Sequence, residues 1–97
     1  MKASWTEGAE LELYEIGDYI AADNVEAAVA WIERLRARAD AVARMPRSGR
    51  VVPELDVEDL REVFVGTYRL IYRVIPGGIE VMSVFEGSKQ LRVDDER

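Results

Sequence analysis

No cysteine and no histidine occur among the 97 residues, and these two absences remove most familiar catalytic and metal chemistry. Without cysteine there is no disulfide framework and no thiolate nucleophile. Without histidine the usual general base and the commonest nitrogen ligand are missing, which excludes Ser-His-Asp catalysis and histidine-based zinc sites. Long apolar runs are lacking too. Nothing approaches the ~20 residues of a membrane span, and Met1-Lys2 leads into no signal-type segment. A cytoplasmic protein with no membrane partner is expected. There is no phosphate-cradling glycine loop, because Pro76-Gly77-Gly78 reads as a turn, and Asp56, Glu58 and Asp59 lack the spacing of a calcium loop. The sequence therefore predicts no catalytic residue, no metal site and no cofactor.

What is present is an ordinary globular composition, 48% hydrophobic, with a formal charge of −6. A chain of this length predicts one domain over residues 1–97 with a single shared core, ending in a charged, frayed tail at Arg92–Arg97. The net charge speaks against generic or sequence-specific nucleic-acid binding, which runs on clustered Lys and Arg. Its distribution is uneven, however. Residues 1–33 carry eight anions and one cation, whereas residues 34–73 carry nine arginines against six anions. A locally basic region inside an acidic protein follows.

Along the chain, Met1–Trp5 is short enough only for an edge strand. Thr6 is a suitable N-cap, and Ala9, Leu13, Ile16 and Ile20 recur at helical spacing with Tyr19 beside them. Gly17 is costly in such a helix, and close approach of a second helix is its expected use. Asn24 caps that second helix, whose stripe is Ala28, Ile32, Leu35, Ala39 and Val42, and Met45-Pro46 ends it. The two form an αα-hairpin. Residues 46–59 are the loop. Arg61–Glu86 is then rich in Val, Ile, Tyr and Phe and is broken at Gly66-Thr67 and Pro76-Gly77-Gly78, which predicts three antiparallel strands. The fold class is α+β: a short N-terminal strand, an αα-hairpin, and a three-stranded antiparallel sheet packed on the helices.

Two-residue turns set the register. Val65 then faces Tyr68, Val63 faces Leu70, Tyr72 faces Val81, Val74 faces Ile79 and Tyr68 faces Phe85. One side becomes Val63, Val65, Tyr68, Leu70, Tyr72, Val74, Ile79, Val81 and Phe85, which should pack on the helices. The other carries Glu62, Phe64, Arg69, Ile71, Arg73, Glu80, Met82, Val84 and Glu86. Phe64, Ile71, Met82 and Val84 are too apolar to sit together in water, so a partner or a second copy is expected to cover them. A bulge or a longer loop would exchange the faces.

Arg73 lies across from Glu80, which accounts for it as an ion pair. Arg69 faces Val84 with no carboxylate directly opposite and is the serious functional candidate. Arg61, at a strand end, reaches past the helices. Arg47 and Arg50 pair within the loop, with Glu54 or Asp56. The helix arginines form a solvated face with Glu33 and Asp40, while Tyr68, Tyr72, Trp5 and Trp31 are core aromatics or packing anchors.

Read together, Arg47-Ser48-Gly49-Arg50-Val51-Val52-Pro53-Glu54, Arg61-Glu62-Val63, Gly66–Val74 and Val84-Phe85-Glu86-Gly87 resemble the ParE/RelE superfamily of bacterial type II toxin–antitoxin toxins. Trp5-Thr6 and Tyr19–Asn24 match the ParE branch, and the resemblance covers about residues 4–91. It implies a toxin, with the plasmid-stabilisation associations of that family, that inhibits DNA gyrase and is held in a hetero-oligomer by a cognate antitoxin. Arg61, Arg69, Glu86 and Lys89 become the target-binding candidates, and Phe64, Ile71, Met82 and Val84 the partner-binding candidates. The chain departs from the ParE pattern at Glu86-Gly87-Ser88-Lys89, where the family commonly has His-Gly followed by arginine. The RelE branch cuts mRNA on the ribosome with basic residues and a tyrosine. Here two of those positions fall on Val63 and near Asp95. A RelE-like interferase and a detoxified antitoxin-binding module remain the alternatives.

Overall fold

In a computed structural model, residues 1–88 are described; Lys89 and the tail Arg92–Arg97 lie outside the described residues. Strand β1 (Lys2–Trp5) leads into helices α1 (Glu7–Ala21) and α2 (Val25–Ala43), which are followed by β2 (Arg50–Val51), β3 (Leu60–Val65), β4 (Tyr68–Ile75) and β5 (Gly78–Glu86). The strands form one sheet in the order β1-β5-β4-β3-β2, with β1 parallel to β5 and the other neighbours antiparallel. The sheet is therefore five-stranded, where the sequence indicated a three-stranded sheet and a separate short N-terminal strand. The N-terminal segment joins the outside of β5, and the loop after α2 contains a one-turn 3-10 helix, Pro46–Ser48, and the two-residue edge strand β2. Two residues carry no readable alternation, so β2 left no pattern to find.

Both helices begin where their caps place them. Thr6 Oγ1 accepts from the Ala9 N–H at 3.0 Å, and Asn24 Oδ1 accepts from the Ala27 N–H at 2.9 Å. Gly17 faces α2 so closely that a β-carbon there would lie 2.6 Å from Ile32 Cδ1. Arg36 joins the same two helices from outside, forming a two-pronged pair with Glu10 and donating from Nη2 to Tyr14 Oη at 3.2 Å. One hydrophobic cluster sets Ala9, Ala39, Val42 and Ala43 of the helices against Val63, Leu70, Tyr72, Ile79 and Val81 of the sheet. A second joins Leu13 and Leu35 to Val65 and Val84, with Trp5, Trp31 and Tyr68 packed around it. Tyr19, expected beside the helical stripe, instead stands 81% exposed.

The hairpin β3–β4 has the expected register, Val65 opposite Tyr68 and Val63 opposite Leu70. Hairpin β4–β5 keeps it only as far as Tyr72–Val81. Beyond that point Ile71 pairs with Ser83, so Met82 is an extra residue on β5. The bulge reverses the faces of everything that follows. Val84 pairs with Leu70 and enters the core, 1% exposed, whereas Phe85 pairs with Arg69 on the far side. The expected positions of Val84 and Phe85 are therefore exchanged, and Glu86, now opposite Tyr68, moves to the helix-facing side.

Candidate interaction surfaces

Arg69 stands at the centre of the far face and is not free. Its side chain is 6% exposed, its Nη1 and Nη2 each donate to a Glu54 oxygen at 3.0 Å, and its Nε donates to Glu62 Oε1 at 2.8 Å. Glu62 in turn takes Arg50 Nε on its other oxygen. The Arg69 guanidinium also lies over the Phe85 ring, 5.5 Å from its centroid. These carboxylates, Glu54 first, hold the guanidinium pKa above its ordinary value despite the opposing effect of burial. Glu54 comes from the loop after β2. Part of the face expected to need an outside partner is thus covered by the chain itself, and Ile71 is 3% exposed. The carboxylate partner of Arg69 was legible in principle. Glu62 occupies the diagonal position on β3, two residues before Phe64, which lies directly across from Arg69.

Arg61 is similarly engaged. It donates to Glu58 Oε2 at 2.6 Å and to the carbonyls of Glu58 and Gly49, while Arg47 pairs with Glu58 and Asp59 rather than with Glu54 or Asp56. Beside it the Tyr72 hydroxyl donates to the Pro46 carbonyl at 2.6 Å and accepts from the Gly49 N–H at 3.0 Å. Burial raises the pKa of this phenol. Arg73 pairs with Glu80 at 2.6 Å, as its opposite position required. The basic middle of the sequence is thus neutralised largely within the fold, by Glu10, Glu54, Glu58, Asp59, Glu62 and Glu80.

Of the residues expected to bind a partner, Phe64 and Met82 remain exposed, at 47% and 37%, while Ile71 and Val84 are buried. Phe64 and Arg69 both lie close to Gly87, where a β-carbon would meet Phe64 Cε2 at 3.0 Å and Arg69 Cγ at 3.5 Å. Glu86 is on the opposite side of the sheet, where its carboxylate accepts from the Ser88 N–H at 2.8 Å.

Glu86 there forms part of a groove that the sequence did not reveal. It runs between α1 and the end of β5, encloses about 510 Å³, and has Ile16, Tyr68 and Val84 among its apolar walls, with Glu12, Glu15 and Glu86 beside them. The groove exists because β1 ends at Trp5, opposite Val81, so that a helix rather than a strand borders the last part of β5. Glu12 closes the gap by accepting from the Val84 N–H at 3.0 Å and from Ser83 Oγ at 2.9 Å. Among the described residues no cluster of acidic side chains is arranged to hold a metal ion, and no helix is long and apolar enough to cross a membrane.

The two-helix hairpin on a mixed five-stranded sheet is the small α+β architecture that the resemblance implied. The family described as ParE toxin of type II toxin-antitoxin system, parDE, matches residues 3–91, and the chain belongs to that family. Among solved structures the fold is similar to a chain from the chromosomal ParDE TA system from P. aeruginosa. The TM-score is 0.72 at 19% identity, covering 89% of this chain and 95% of that one. No curated protein matches.

Proposed function

We propose that this chain is the toxin of a type II toxin–antitoxin pair, that it acts in the cytoplasm by inhibiting DNA gyrase, and that a cognate antitoxin neutralises it. The family match over residues 3–91 carries this reading. The engagement of the arginines supports inhibition by binding over cleavage of RNA. Arg61 and Arg69, the residues corresponding to basic positions of the RNA-cutting branch, are both committed to carboxylates of the fold. A phosphate would have to displace Glu54 or Glu62 to reach Arg69, and the acidic balance of the chain opposes its approach.

Expressed alone, the chain is expected to arrest growth, and co-expression of the antitoxin encoded beside it should restore growth. Purified protein should block gyrase supercoiling of relaxed plasmid. Normal supercoiling with toxin in excess would overturn the gyrase assignment. Codon-associated mRNA cuts during arrest would point to the interferase alternative. Growth without arrest, combined with tight antitoxin binding, would identify a detoxified module, the reading favoured by the departure at Glu86-Gly87-Ser88.

A further inference from the structure

We infer that the open edge of β3 at Phe64 is a docking site for an extended, acidic segment of another protein, which adds to the sheet as a strand in line with β2. The inference stands apart from the toxin reading. The backbone is its first support. Successive residues of an antiparallel strand direct their N–H and C=O groups to opposite neighbours. The Leu60 carbonyl accepts from the Val52 N–H at 3.0 Å and Glu62 pairs with Arg50, so Phe64, in phase with both, turns its N–H and C=O outward. β2 does not reach it. Its pairing covers Arg61 and Glu62 alone, because the chain before Arg50 leaves the edge, where the Gly49 N–H donates to Tyr72 Oη at 3.0 Å. Among the described residues no strand lies opposite Val63–Val65 on that side.

The borders of this edge set the chemistry. On the helix side Trp31 stands against Gly66, where a β-carbon would lie 2.6 Å from Trp31 Cη2, and the Arg34 guanidinium covers the Trp31 ring at 4.5 Å from its centroid. Arg38 follows one turn on, near Tyr72: burial raises the pKa of that phenol, and the Gly49 N–H, Arg61 and Arg38 oppose the rise. On the far side Arg50, its side chain 62% exposed, lies over the Phe64 ring. Arg34 and Arg38 are exposed and form no ion pair among the described residues, with Glu33 and Asp40 or any other. Side chains on one face of a strand recur about every 6.8 Å, close to the roughly 6 Å rise from Arg34 to Arg38. Two carboxylates at alternate positions can therefore meet both arginines, while the residue between them lies on Phe64 and Arg50. A second copy paired edge to edge would set these arginines against their own counterparts. A nucleic acid has phosphates for the arginines but no peptide groups for the strand edge. An acidic polypeptide meets both requirements.

Titration of the isotope-labelled full-length chain with the peptide acetyl-Thr-Glu-Val-Glu-Val-Glu-Thr-amide, followed by NMR, tests the assignment. In the free chain the Phe64 amide should exchange with solvent faster than those of Val63 and Val65, and saturating peptide should slow it about tenfold or more. Replacing Glu by Gln in the peptide, or Arg34→Glu together with Arg38→Glu in the chain, should weaken binding about tenfold or more. Added salt should weaken it as well. Arg44→Glu, exposed on another flank of α2, should bind within about twofold of the unsubstituted chain. A Phe64 amide already protected in the free chain means that the edge is covered, and overturns the inference. Unchanged Val63–Val65 signals at millimolar peptide overturn it too, as does equal affinity for the Glu and Gln peptides.

Discussion

Replacing Arg69 by alanine is the substitution most easily misread in this protein. Because the family resemblance marks Arg69 as a target-binding position, loss of toxicity in Arg69→Ala would ordinarily be scored as loss of a contact with the target. The structure predicts a different cause. Glu62 has a fully buried side chain whose partners are Arg69 and Arg50, and the Arg50 side chain is itself 62% exposed. Removing the Arg69 guanidinium leaves the Glu62 carboxylate with one solvent-facing partner and releases Glu54, which Arg69 holds with two bonds. Breaking a buried pair in this way costs about 3–5 kcal/mol, against a total stability of about 5–15 kcal/mol for a small domain. At roughly 4–8 °C per kcal/mol the melting temperature should fall by roughly 12–40 °C. Urea denaturation of the purified variant, followed by circular dichroism, measures it. The paired substitution Arg69→Met with Glu62→Leu removes both charges and should recover a large part of the loss. If Arg69→Ala lost less than about 1 kcal/mol with an unchanged denaturant slope, the ion network would not hold the fold, and Arg69 would return to being a recognition residue.

Three further substitutions probe other levels of the structure. Gly78→Ala should cost more than about 2 kcal/mol, because a β-carbon at this residue, with φ of 154°, would lie 1.9 Å from the Lys2 carbonyl oxygen and push β1 off the sheet; amide exchange of Ala3–Trp5 should rise with it. Arg73→Ala or Glu80→Ala should change stability by no more than about 1 kcal/mol, since both partners face solvent, and a double-mutant cycle measures the coupling. Tyr68 and Tyr72 both have pKa values raised above the ordinary 10.0, so their neutral forms favour the fold. Their contribution is complete below the unfolded value and is lost as pH rises through it toward the folded value, which places the alkaline fall in stability above about pH 10. Tyr72→Phe should make that fall shallower. It should also cost about 1–3 kcal/mol at neutral pH by orphaning the Pro46 carbonyl and Gly49 N–H.

What the sequence disclosed and what it withheld follow from the range of the interactions involved. The caps at Thr6 and Asn24, the tight packing at Gly17 and the hairpin register at Val65–Tyr68 are local or nearest-neighbour effects, and each was readable from a few adjacent residues. The pairing at the sheet edges was not. Met1–Trp5 reads as an edge strand, but the parallel partner that holds it lies more than seventy residues away, and β2 is too short to show alternation. The candidate site suffered most from a single inserted residue. With Met82 counted as a regular strand position, Val84 and Glu86 fall on the far face and Phe85 in the core; with Met82 bulged, all three change sides. No residue type in Val81–Ser83 announces the bulge, because Val, Met and Ser all fit an unbroken strand. Its position makes physical sense only beside α1, where Thr6 N–H donates to the Val81 carbonyl at 3.0 Å and Glu12 takes over at Val84. The bulge turns Val84 toward Leu13 and Leu35 and places Glu86 opposite Tyr68. The acidic groove is therefore a product of where β1 stops and where β5 slips, and neither Ile16, Tyr19 nor Glu86 marks it singly in the sequence.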